Sequence, residues 1–599
     1  MQTTRNFLLE LRDLGVRLWY DDGSLGYRAP EGVLTAERFS QLKAHKTEIL
    51  KFLRDEQNAS SLMPIERVPR NQPLPLSFAQ QRLWFLDQLE PESAFYNMRM
   101  LLRLTGQLDV TALEASFRYL IERHESLRTV FGTSTQTNNG EANQLIHPSS
   151  WAAQFTLAIT PVTDEGEAQR LAQIEATTPF KLNEGPLLRV QLLQIAADGS
   201  TSSPTEHLLV LNMHHIISDG WSMGLLVKEL TYAYRAYVSG QQPTLSALPI
   251  QYADFAIWQR DYLRAGVPGA RLETQLAYWR AQLTGAPALL ELPTDRPRPS
   301  VQSYRGARYA FELSADLNAK LNQLAKTHDA TLFMVMLAAF NILLARYSRQ
   351  DDIVVGSSIA NRNRAEIEGL IGFFVNTLVL RTQLDDNPTF TELLVQVRQT
   401  TLDAYQHQDL PFEQLVDVLN LERTLSYNPL FQVMLVLQNA EIGEFNLPNL
   451  TATLQPADAP FAKFDLTLHL MEKEKEGGLW GVIAYATDLF DEATIARMAS
   501  HFTVLLEGIV RQPDRAIHQL PMLTETEYHQ IAHEWNDTAI DFGTPQTIHA
   551  LFEEQVKRTP NAVALVFDEG KETGRQGDGE IGRWRDEELI TLSPSPPHP

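Results

Sequence analysis

Cysteine is missing from all 599 residues of this sequence, and its absence excludes several kinds of site at once. Without a thiol the chain forms no disulfide, holds no iron–sulfur cluster or thiolate-bound metal, and has no cysteine nucleophile. Long hydrophobic runs are missing too, since no stretch of about 18 apolar residues occurs, and we expect no membrane span. Glu10 and Asp13 interrupt the apolar part of the N-terminus, so it does not resemble a signal peptide. Together these absences favour a cytoplasmic protein.

Positive charge is also scarce in the sequence. Lys and Arg total 51 against 74 Asp and Glu, which gives a net charge of −23. Because a phosphate backbone attracts clustered Lys and Arg, we do not expect nucleic acid as the main partner. The hydrophobic fraction of 44% is sufficient for large cores, and the length predicts several domains or one large composite domain.

Residues 1–57 are predicted to fold as a small independent unit. Residues 16–20 alternate in polarity, an Asp-Gly pair follows as a two-residue hairpin turn, and a second strand ends at Arg28. Thr35 then suits the N-cap of a helix. The unit carries 9 basic and 9 acidic residues, so the negative charge belongs to the rest of the chain.

The remaining boundaries follow from composition and periodicity. Proline-rich, aperiodic stretches predict linkers, alternating strand and helix patterns predict the body, and loss of periodicity predicts a disordered tail. The predicted segments are a linker at 58–73, an α/β body at 74–520, a second linker at 521–546, a short helix–strand segment at 547–569 and the tail at 570–599.

The sharpest candidate site is the stretch Met213–Trp221, MHHIISDGW. It follows a near-continuous apolar run of buried-strand length and precedes a helical pattern. Successive side chains of a strand point to opposite faces, so we expect one of His214 and His215 to face a cavity while the other packs. Asp219 can orient the turn or neutralise a buried arginine, and Gly220 permits backbone angles or a close approach that a Cβ would block.

Spacing alone leaves three interpretations of this stretch open. The plainest is a pair of hydrogen-bonded structural histidines beside a helix-capping aspartate. A metal site needs third and fourth ligands, and although His207 lies upstream its spacing matches no known ligand pattern, so we expect no metal. A general base is chemically reasonable, because an unperturbed histidine titrates near about 6.5.

Seven motifs in a fixed order provide the context for this stretch. They resemble those of condensation domains of nonribosomal peptide synthetases, whose HHxxxDG signature matches His214–Gly220, and the resemblance covers roughly residues 74–520. The motifs are Ser77–Leu86, Arg123–Phe131, the His-His stretch itself, Tyr252–Trp258, Ile371–Leu378, His407–Glu413 and Arg423–Phe431.

The resemblance implies both a fold and a reaction. The fold is α/β: two chloramphenicol-acetyltransferase-like lobes, an N-lobe of about 74–245 and a C-lobe of about 250–520, form a pseudo-dimer with a central tunnel, beside a small α+β docking domain. Donor and acceptor carrier proteins dock at the tunnel mouths and deliver substrates as phosphopantetheine thioesters. The acceptor α-amine attacks the donor thioester and forms a peptide bond. This step implies no cofactor bound by the chain itself.

The resemblance also implies roles for individual residues. His215 stands at the reacting centre, either as a base or as a residue that positions the amine, while His214 packs. Asp219 is structural, its family counterpart pairs with an arginine, and Arg362 is the candidate partner here. Gly220 keeps the tunnel open. Asn376, a polar residue in an otherwise apolar motif, is a candidate for the tunnel lining.

The two ends of the chain resemble further synthetase segments. Residues 1–57 resemble TubC-type N-terminal docking domains, whose hairpin accepts a C-terminal segment of an upstream synthetase as an added strand. Arg17 and Arg28 either recognise acidic side chains on that segment or merely solvate the hairpin. Residues 547–569 resemble the opening of an adenylation domain, and the departure after Glu569 predicts a truncated module without activation or carrier domains.

Two other functions stay open beside condensation. One is a docking or scaffold fragment without turnover, and the other is a stand-alone acyltransferase of the same superfamily. The docking unit argues against the stand-alone enzyme. The intact His214, His215 and Asp219 argue against a decayed site.

Overall fold

The structure is a computed structural model that describes most of the chain. Within the described ranges the chain divides into two compact units, residues 1–524 and residues 525–599. The described residues are 11, 16–21, 24–29, 34–46, 49–50, 64–133, 142–195, 206–264, 272–420, 424–438, 446–455, 461–473, 477–540 and 547–562.

All strands of the described residues lie in the first unit. They form two six-stranded sheets, a three-stranded sheet and a two-stranded hairpin. The strands are β1 (Arg17–Asp21), β2 (Ser24–Arg28), β3 (Leu74–Pro75), β4 (Asn97–Gly106), β5 (Thr129–Thr133), β6 (Ala142–Ile146), β7 (Ala158–Val162), β8 (Leu188–Ile195), β9 (Glu206–His214), β10 (Gly306–Leu313), β11 (Asp352–Ile359), β12 (Asn376–Gln383), β13 (Val433–Gln438), β14 (Asn446–Leu447), β15 (Leu450–Gln455), β16 (Leu466–Glu472) and β17 (Leu479–Ala486).

Helices follow most of these strands, and side-chain caps mark many of their starts. Ser77, Thr331 and Thr389 each form a capping box, in which the cap and the third helical residue bond each other's backbone. The helices are α1 (Ala36–Ala44), α2 (Phe78–Leu89), α3 (Val110–Arg123), α4 (Glu165–Thr177), α5 (Gly220–Val238), α6 (Tyr252–Tyr262), α7 (Leu272–Leu283), α8 (Ala315–Thr327), α9 (Leu332–Ser348), α10 (Ala365–Glu368), α11 (Phe390–Gln406), α12 (Phe412–Leu419), α13 (Glu492–Arg511), α14 (Glu525–His529) and α15 (Ile548–Arg558).

The first large sheet explains the apolar run before the His-His stretch. Its strand order is β14-β15-β4-β9-β8-β7, so β9 lies inside the sheet with partners on both sides. Leu209 and Leu211 pack with the core beneath α3 and α5, whereas Leu208 and Val210 pack against α4 on the opposite face. Because both faces of β9 are buried, its sequence shows no alternation of polar and apolar residues.

The same sheet corrects the predicted lobe boundary. β14 and β15 come from residues 446–455, inside the predicted C-lobe of 250–520, yet β15 pairs antiparallel with β4. A strand from the second half of the sequence therefore completes the N-terminal lobe and covers the free backbone groups of β4. This pairing depends on tertiary packing, which a division of the chain at 245–250 does not capture.

The second large sheet forms the core of the C-terminal lobe. Its strand order is β10-β17-β16-β13-β11-β12, and α9, α11 and α13 pack against it. The residues from 464 to 470 alternate between apolar and polar types, which predicts a half-buried strand, and the structure pairs them as β16 with β17 in a hairpin from Leu466↔Tyr485 to Glu472↔Leu479. With a sheet and packed helices in each lobe, the predicted two-lobed α/β class is confirmed.

The predicted linker at 58–73 is fixed to the body over its described part, residues 64–73. Arg70 forms ion pairs with Glu125 at 2.8 Å and with Asp254 at 2.7 Å. Asp254 is fully buried and also accepts a hydrogen bond from the Val68 amide. Two buried carboxylates therefore hold this segment, which its proline-rich composition did not predict.

The N-terminal segment contains the predicted hairpin and helix. β1 and β2 pair antiparallel from Arg17↔Arg28 to Asp21↔Ser24. Thr35 caps α1, because its hydroxyl oxygen accepts a hydrogen bond from the Arg38 amide at 3.3 Å. The side chains of Arg17 and Arg28 lie outside the described part of the structure, so their predicted contact with a partner stays a prediction.

The second unit, residues 525–599, is helical where it is described. α14 and a π turn at Gln530–Glu534 occupy part of the predicted linker at 521–546, so this segment is not structureless. α15, at Ile548–Arg558, is the helix of the helix–strand segment predicted at 547–569. The strand expected from residue 562 onward and the tail at 570–599 lie outside the described residues apart from Ala562.

Across the described ranges, no single helix combines the length and hydropathy needed to cross a membrane. α8 and α9 meet that criterion only when taken together, and a bend of 103° separates them.

Candidate active site

The His-His stretch lies where β9 ends and α5 begins. His214 is the last residue of β9, His215 opens a 3-10 turn at His215–Ile217, and Asp219 is the N-cap of α5. The strand, the turn and the helix are therefore arranged as the sequence predicts, and the two histidines occupy different environments.

His214 is buried, with 4% of its surface exposed. Its ring lies 6.0 Å from the ring of Phe180 and 6.3 Å from that of Tyr96. Nδ1 accepts a hydrogen bond from the Ile216 amide at 3.1 Å, so the neutral ring carries its proton on Nε2. Burial lowers the pKa of His214 to about 3, with smaller contributions from nearby positive charges. His214 thus packs as a neutral side chain that fixes the turn.

His215 is half-buried and presents the opposite tautomer. Its Nδ1 lies 2.8 Å from the carbonyl oxygen of Ser218, which can only accept, so Nδ1 carries the proton and Nε2 has a free lone pair. No described residue hydrogen-bonds Nε2. The ring lies 4.7 Å from that of Phe373, in the C-terminal lobe.

The charge state of His215 follows from its surroundings. Burial lowers its pKa to about 4, and the positive charge of Lys463 acts in the same direction. The Ser218 carbonyl and the Asp219 carboxylate oppose this shift only in part. His215 is therefore neutral at neutral pH, with Nε2 available as a hydrogen-bond acceptor.

A chain of buried polar groups holds the His-His turn in place, and the sequence did not predict it. Gln80 donates a hydrogen bond from Nε2 to the Ile216 carbonyl at 3.1 Å. Ser77, the cap of the same helix, lies 2.8 Å from the hydroxyl of Tyr252, which donates to the Phe373 carbonyl at 2.6 Å. Burial raises the pKa of Tyr252 well above its ordinary value. The capping-box spacing of Ser77 and Gln80 was the available sequence signal.

Asp219 joins the two lobes and does not face solvent. Arg362 Nη2 lies 3.2 Å from Asp219 Oδ1, and Asp219 Oδ2 accepts the Phe374 amide at 2.9 Å. Asp219 Oδ1 also accepts the Ser222 amide at 2.8 Å, which caps α5. The pair suggested by the resemblance is thus present in the structure, and Asp219 holds position without reaching the reacting space.

Arg362 is itself extensively bonded. Its Nη1 donates to the carbonyls of Ile367 and Leu370, both at 2.7 Å, and its Nη2 donates to Ser222 Oγ at 2.8 Å. The guanidinium lies 4.1 Å over the ring of Phe374. Burial lowers the pKa of Arg362, and the Asp219 carboxylate opposes that effect. The ion pair is therefore one part of a buried network.

The structure shows neither of the two features expected to require glycine at position 220, an unusual backbone angle or a close approach of another group. The φ of Gly220 is not in the left-handed region, and a Cβ built at this position meets no atom within 4 Å. The backbone therefore does not require glycine here. Gly220 is exposed and has open space beside it, and the expectation that it keeps a tunnel open stays a prediction.

Asn376 is not a tunnel-lining residue. It is buried, and its Nδ2 donates to the carbonyls of Gln408 at 2.9 Å and Leu410 at 2.8 Å. Its Oδ1 accepts from the amides of Thr377 at 2.8 Å and Phe412 at 3.0 Å. With both ends of the amide satisfied, Asn376 ties β12 to the start of α12, and the expectation of a tunnel-lining role is wrong.

Lys463 was not singled out from the sequence and lies beside the site. Its Nζ is 4.8 Å from the ring centre of Tyr96, whose carbonyl accepts the His215 amide at 2.8 Å. Tyr96, His215, Phe373 and Lys463 are all reached by solvent and come from both lobes. We call the solvent-reached contact region between the lobes that these four residues line the inter-lobe cleft. A lone lysine in an apolar stretch offered no sequence signal for this placement.

Metal ligands are not clustered in this region. Among the residues that the structure describes, no group of three or more His, Asp or Glu side chains is arranged to hold an ion. His207, the possible upstream ligand, is buried on β9.

Comparison with protein families matches two parts of the chain. The model for the condensation domain matches residues 70–532, and the model for the TubC N-terminal docking domain matches residues 5–55. Two linear gramicidin synthase proteins from Brevibacillus parabrevis are 47% and 48% identical, over 90% and 87% of this chain. The chain spans only 7% and 10% of the length of these two relatives.

Solved structures share the fold. The X-domain from teicoplanin biosynthesis is 32% identical, with a TM-score of 0.68 over 77% of this chain and 100% of that one. The first condensation domain of the calcium-dependent antibiotic synthetase, in complex with a substrate analogue, has a TM-score of 0.63 over 76% of this chain and 100% of that one. At 21% identity, this second likeness supports the fold alone.

Proposed function

The chain belongs to the condensation domain family of nonribosomal peptide synthetases, and we propose that it joins two carrier-bound substrates through an amide bond. The α-amine of an acceptor aminoacyl thioester attacks the carbonyl carbon of a donor thioester. A C–N bond forms and the donor C–S bond breaks. The amine gives up one proton, and the departing phosphopantetheine thiolate takes one up.

The observation that carries this proposal is the state of His215. Its Nδ1 proton is held by the Ser218 carbonyl, its Nε2 lone pair is free, and its ring borders the inter-lobe cleft. An imidazole in this state accepts a hydrogen bond from an incoming amine. The same nitrogen cannot do so in the opposite tautomer, in which it carries a proton.

We assign His215 the role of positioning the amine rather than removing its proton outright. Its pKa of about 4 lies far below that of an α-ammonium group, near about 8, so full transfer to His215 is unfavourable. A hydrogen bond to Nε2 instead directs the nitrogen lone pair at the thioester carbonyl. Thioesters are already activated, so alignment of two tethered reactants supplies a large part of what the reaction needs.

The buried network around Asp219 and Arg362 holds His215 in the position that this role requires. It fixes the start of α5 to the backbone of residues 367–374, the segment that carries Phe373 against the His215 ring. Asp219 and Arg362 are therefore positioning residues.

The partners follow from the family and the N-terminal match. We propose that donor and acceptor carrier proteins bring the two phosphopantetheine thioesters to the inter-lobe cleft. We further propose that the β1–β2 hairpin pairs with a C-terminal segment of an upstream synthetase. In the described residues this hairpin is a two-stranded sheet, so each strand has an edge available for backbone pairing.

The test is a condensation assay with the full chain. A panel of donor carriers loaded with L- or D-aminoacyl groups is mixed with aminoacyl acceptor carriers, and dipeptidyl thioester is measured by mass spectrometry. We expect product with wild type, a loss of roughly 10²-fold or more with His215→Ala, and no loss with His518→Ala, an exposed histidine outside the cleft.

Two outcomes of this assay contradict the proposal. Equal yields from wild type and His215→Ala exclude the role of His215. Folded wild type that gives no product with any pair favours a docking or scaffold function instead.

A further inference from the structure

Lys463 is a cation that no described carboxylate balances. It lies between Phe461, which bridges to Arg305, and strand β16, and its carbonyl accepts a hydrogen bond from Asn428 at 2.8 Å. Its backbone is therefore fixed. Among the described residues, no carboxylate forms an ion pair with its ammonium group.

Two carboxylates of the surrounding elements are already engaged by other cations. Asp465 pairs with Arg298 and is almost fully buried. Glu413 pairs with Arg82 at 3.1 Å, and Arg82 also lies 5.6 Å over the ring of Phe412. The charge of Arg82 is thus balanced, and that of Lys463 is not.

Aromatic faces hold the Lys463 ammonium in the absence of a carboxylate. Its Nζ lies 5.3 Å from the ring centre of Phe95 and 4.8 Å from that of Tyr96. Phe461 and Tyr304 pack around Phe95, at 6.1 and 4.8 Å between ring centres. Phe95 and Tyr96 belong to the N-terminal lobe, so Lys463 reaches across the inter-lobe cleft.

The position of Lys463 connects it to the histidine site. The Tyr96 ring beneath it lies 6.3 Å from the His214 ring, and the Tyr96 carbonyl holds the His215 backbone. The positive charge of Lys463 contributes to the lowered pKa of both histidines. Its field is therefore felt where the amine is expected to bind.

We propose that Lys463 is a further functional residue of this site, whose positive charge favours the neutral form of the acceptor amine and stabilises the oxyanion that develops on the donor carbonyl. This inference rests on the proposed condensation function. A cation held at this position disfavours an ammonium group beside it, and it stabilises negative charge that appears only in the transition state.

The titration of Lys463 sets the pH range of the effect. The protein groups packed around Lys463 lower its pKa to about 8 although its side chain is exposed to solvent, and the charge of Arg82 acts in the same direction. Lys463 is therefore charged at pH 7 and loses its charge as the pH rises through 8. The other titratable and charged groups next to it or to the two histidines are Arg82, Tyr96, Arg189, Asp219 and His469. A further set acts on these groups in turn, namely Glu90, Tyr304, Arg308 and Glu413.

The experiment measures single-turnover condensation from pH 6 to pH 9 with the full chain and the loaded carriers described above. Lys463→Met removes the charge and keeps the length of the side chain, whereas Lys463→Arg keeps the charge. Lys181→Met, at a surface position with 72% exposure, is the matched control.

We expect Lys463→Met to be roughly 10-fold to 100-fold slower at pH 7, because the variant loses a unit charge that acts on both histidines of the site. Without Lys463 the pKa of the amine rises, so the acid limb moves up by about one pH unit. The difference in rate between Lys463→Met and wild type shrinks above pH 8, because wild type also loses the positive charge of Lys463 there. Lys463→Arg and Lys181→Met retain the position of the wild-type limb.

A purely structural role predicts a different result, namely an equal loss at every pH in Lys463→Met. An unmoved acid limb therefore overturns the inference, and so does a limb that moves equally in Lys463→Arg. If only acceptors with a carboxylate side chain are affected, Lys463 recognises the substrate and the inference is also wrong.

An NMR titration of His215 separates failure of this inference from failure of the proposed function, because it needs no turnover. We expect its pKa to be higher in Lys463→Met than in wild type and close to the wild-type value in Lys463→Arg. An unchanged pKa in Lys463→Met contradicts the electrostatic coupling even if no carrier pair gives product. If wild type is active and its pH profile superimposes on that of Lys463→Met, the role of Lys463 is rejected and the proposed condensation function still stands.

Discussion

Asp219 and Arg362 lie 143 residues apart in the sequence and 3.2 Å apart in the structure, both buried between the two lobes. Removing one partner of such a pair leaves an uncompensated charge away from water. We expect Asp219→Asn to lower the free energy of unfolding by about 3–5 kcal/mol, because Arg362 loses its counter-charge and the single amide oxygen replaces only one of the two carboxylate oxygens that accept the Ser222 and Phe374 amides. Urea unfolding measures the change.

A surface ion pair is the control for this prediction. Lys181 and Glu184 lie 3.2 Å apart but are 72% and 59% exposed, so Glu184→Gln should change stability by less than about 1 kcal/mol. A loss in Asp219→Asn no larger than in Glu184→Gln contradicts the anchoring role. The double variant Asp219→Asn, Arg362→Met should lose less than the sum of the two single variants, because neither partner is left charged.

Gly372 is required by the ring of Tyr252 and not by its own backbone. A Cβ at this position lies 2.0 Å from Tyr252 Cδ2, and the Tyr252 hydroxyl bonds Phe373 and Ser77 beside the His-His turn. We expect Gly372→Ala to cost about 1–3 kcal/mol of stability and to slow condensation, because the ring has to move. Thermal melting and the dipeptide assay measure the two effects, and a variant as stable and active as wild type contradicts the prediction.

Gly220→Ala is the matched comparison, since its Cβ meets nothing within 4 Å. Alanine favours helix over glycine, so we expect unchanged or slightly raised stability at the first position of α5. If the open space receives a substrate arm, the variant has a raised KM at full stability. An unchanged KM argues that the space has no part in binding.

Local elements were predictable where one segment carries its own signal. The apolar run of β9, the cap at Asp219 and the hairpin of β16 and β17 follow from periodicity over a few residues. Arg362 was identified only through the family resemblance, because no local pattern links it to Asp219.

The rest depended on contacts between distant segments. β15 joins the N-terminal lobe by pairing with β4, and Asn376 is saturated by carbonyls and amides of residues more than 30 positions away as well as by its neighbour. Lys463 meets its aromatic partners across the cleft. A polar residue in an apolar motif therefore indicated a specific role in the fold or the site. Tertiary packing decided whether its side chain forms buried hydrogen bonds or faces the inter-lobe cleft.

Acid should destabilise the fold in part through His214. Its pKa of about 3 in the folded protein lies below the value of about 6.5 expected when unfolded, so between these values the unfolded chain binds more protons. Stability therefore falls as the pH drops below about 6.5, by up to about 1.4 kcal/mol per pH unit from this residue. His214→Asn keeps an acceptor for the Ile216 amide and removes the titration.

The measurement is the free energy of unfolding between pH 6.5 and pH 5. We expect a shallower pH dependence in His214→Asn than in wild type, and the wild-type dependence in the control His518→Asn, which changes an exposed histidine. Parallel curves for wild type and His214→Asn exclude His214 as a source of acid sensitivity.

The β1–β2 hairpin should carry the affinity for an upstream partner. Arg17 and Arg28 occupy directly opposed positions in its register, so two positive residues meet at one end of a two-stranded sheet. A peptide that adds a strand there gains backbone hydrogen bonds, and acidic side chains near that end gain attraction that salt screens.

We expect a peptide from the C-terminus of the upstream synthetase to bind the full chain and to lose affinity in a variant lacking residues 1–57. Arg17→Glu with Arg28→Glu should weaken binding most at low salt, and calorimetry at two salt concentrations measures both effects. Unchanged affinity after the deletion rejects the hairpin as the docking site. If the deletion abolishes binding and the charge reversals do not, the backbone edge of the hairpin recognises the peptide. The two arginines then only keep the exposed hairpin hydrated.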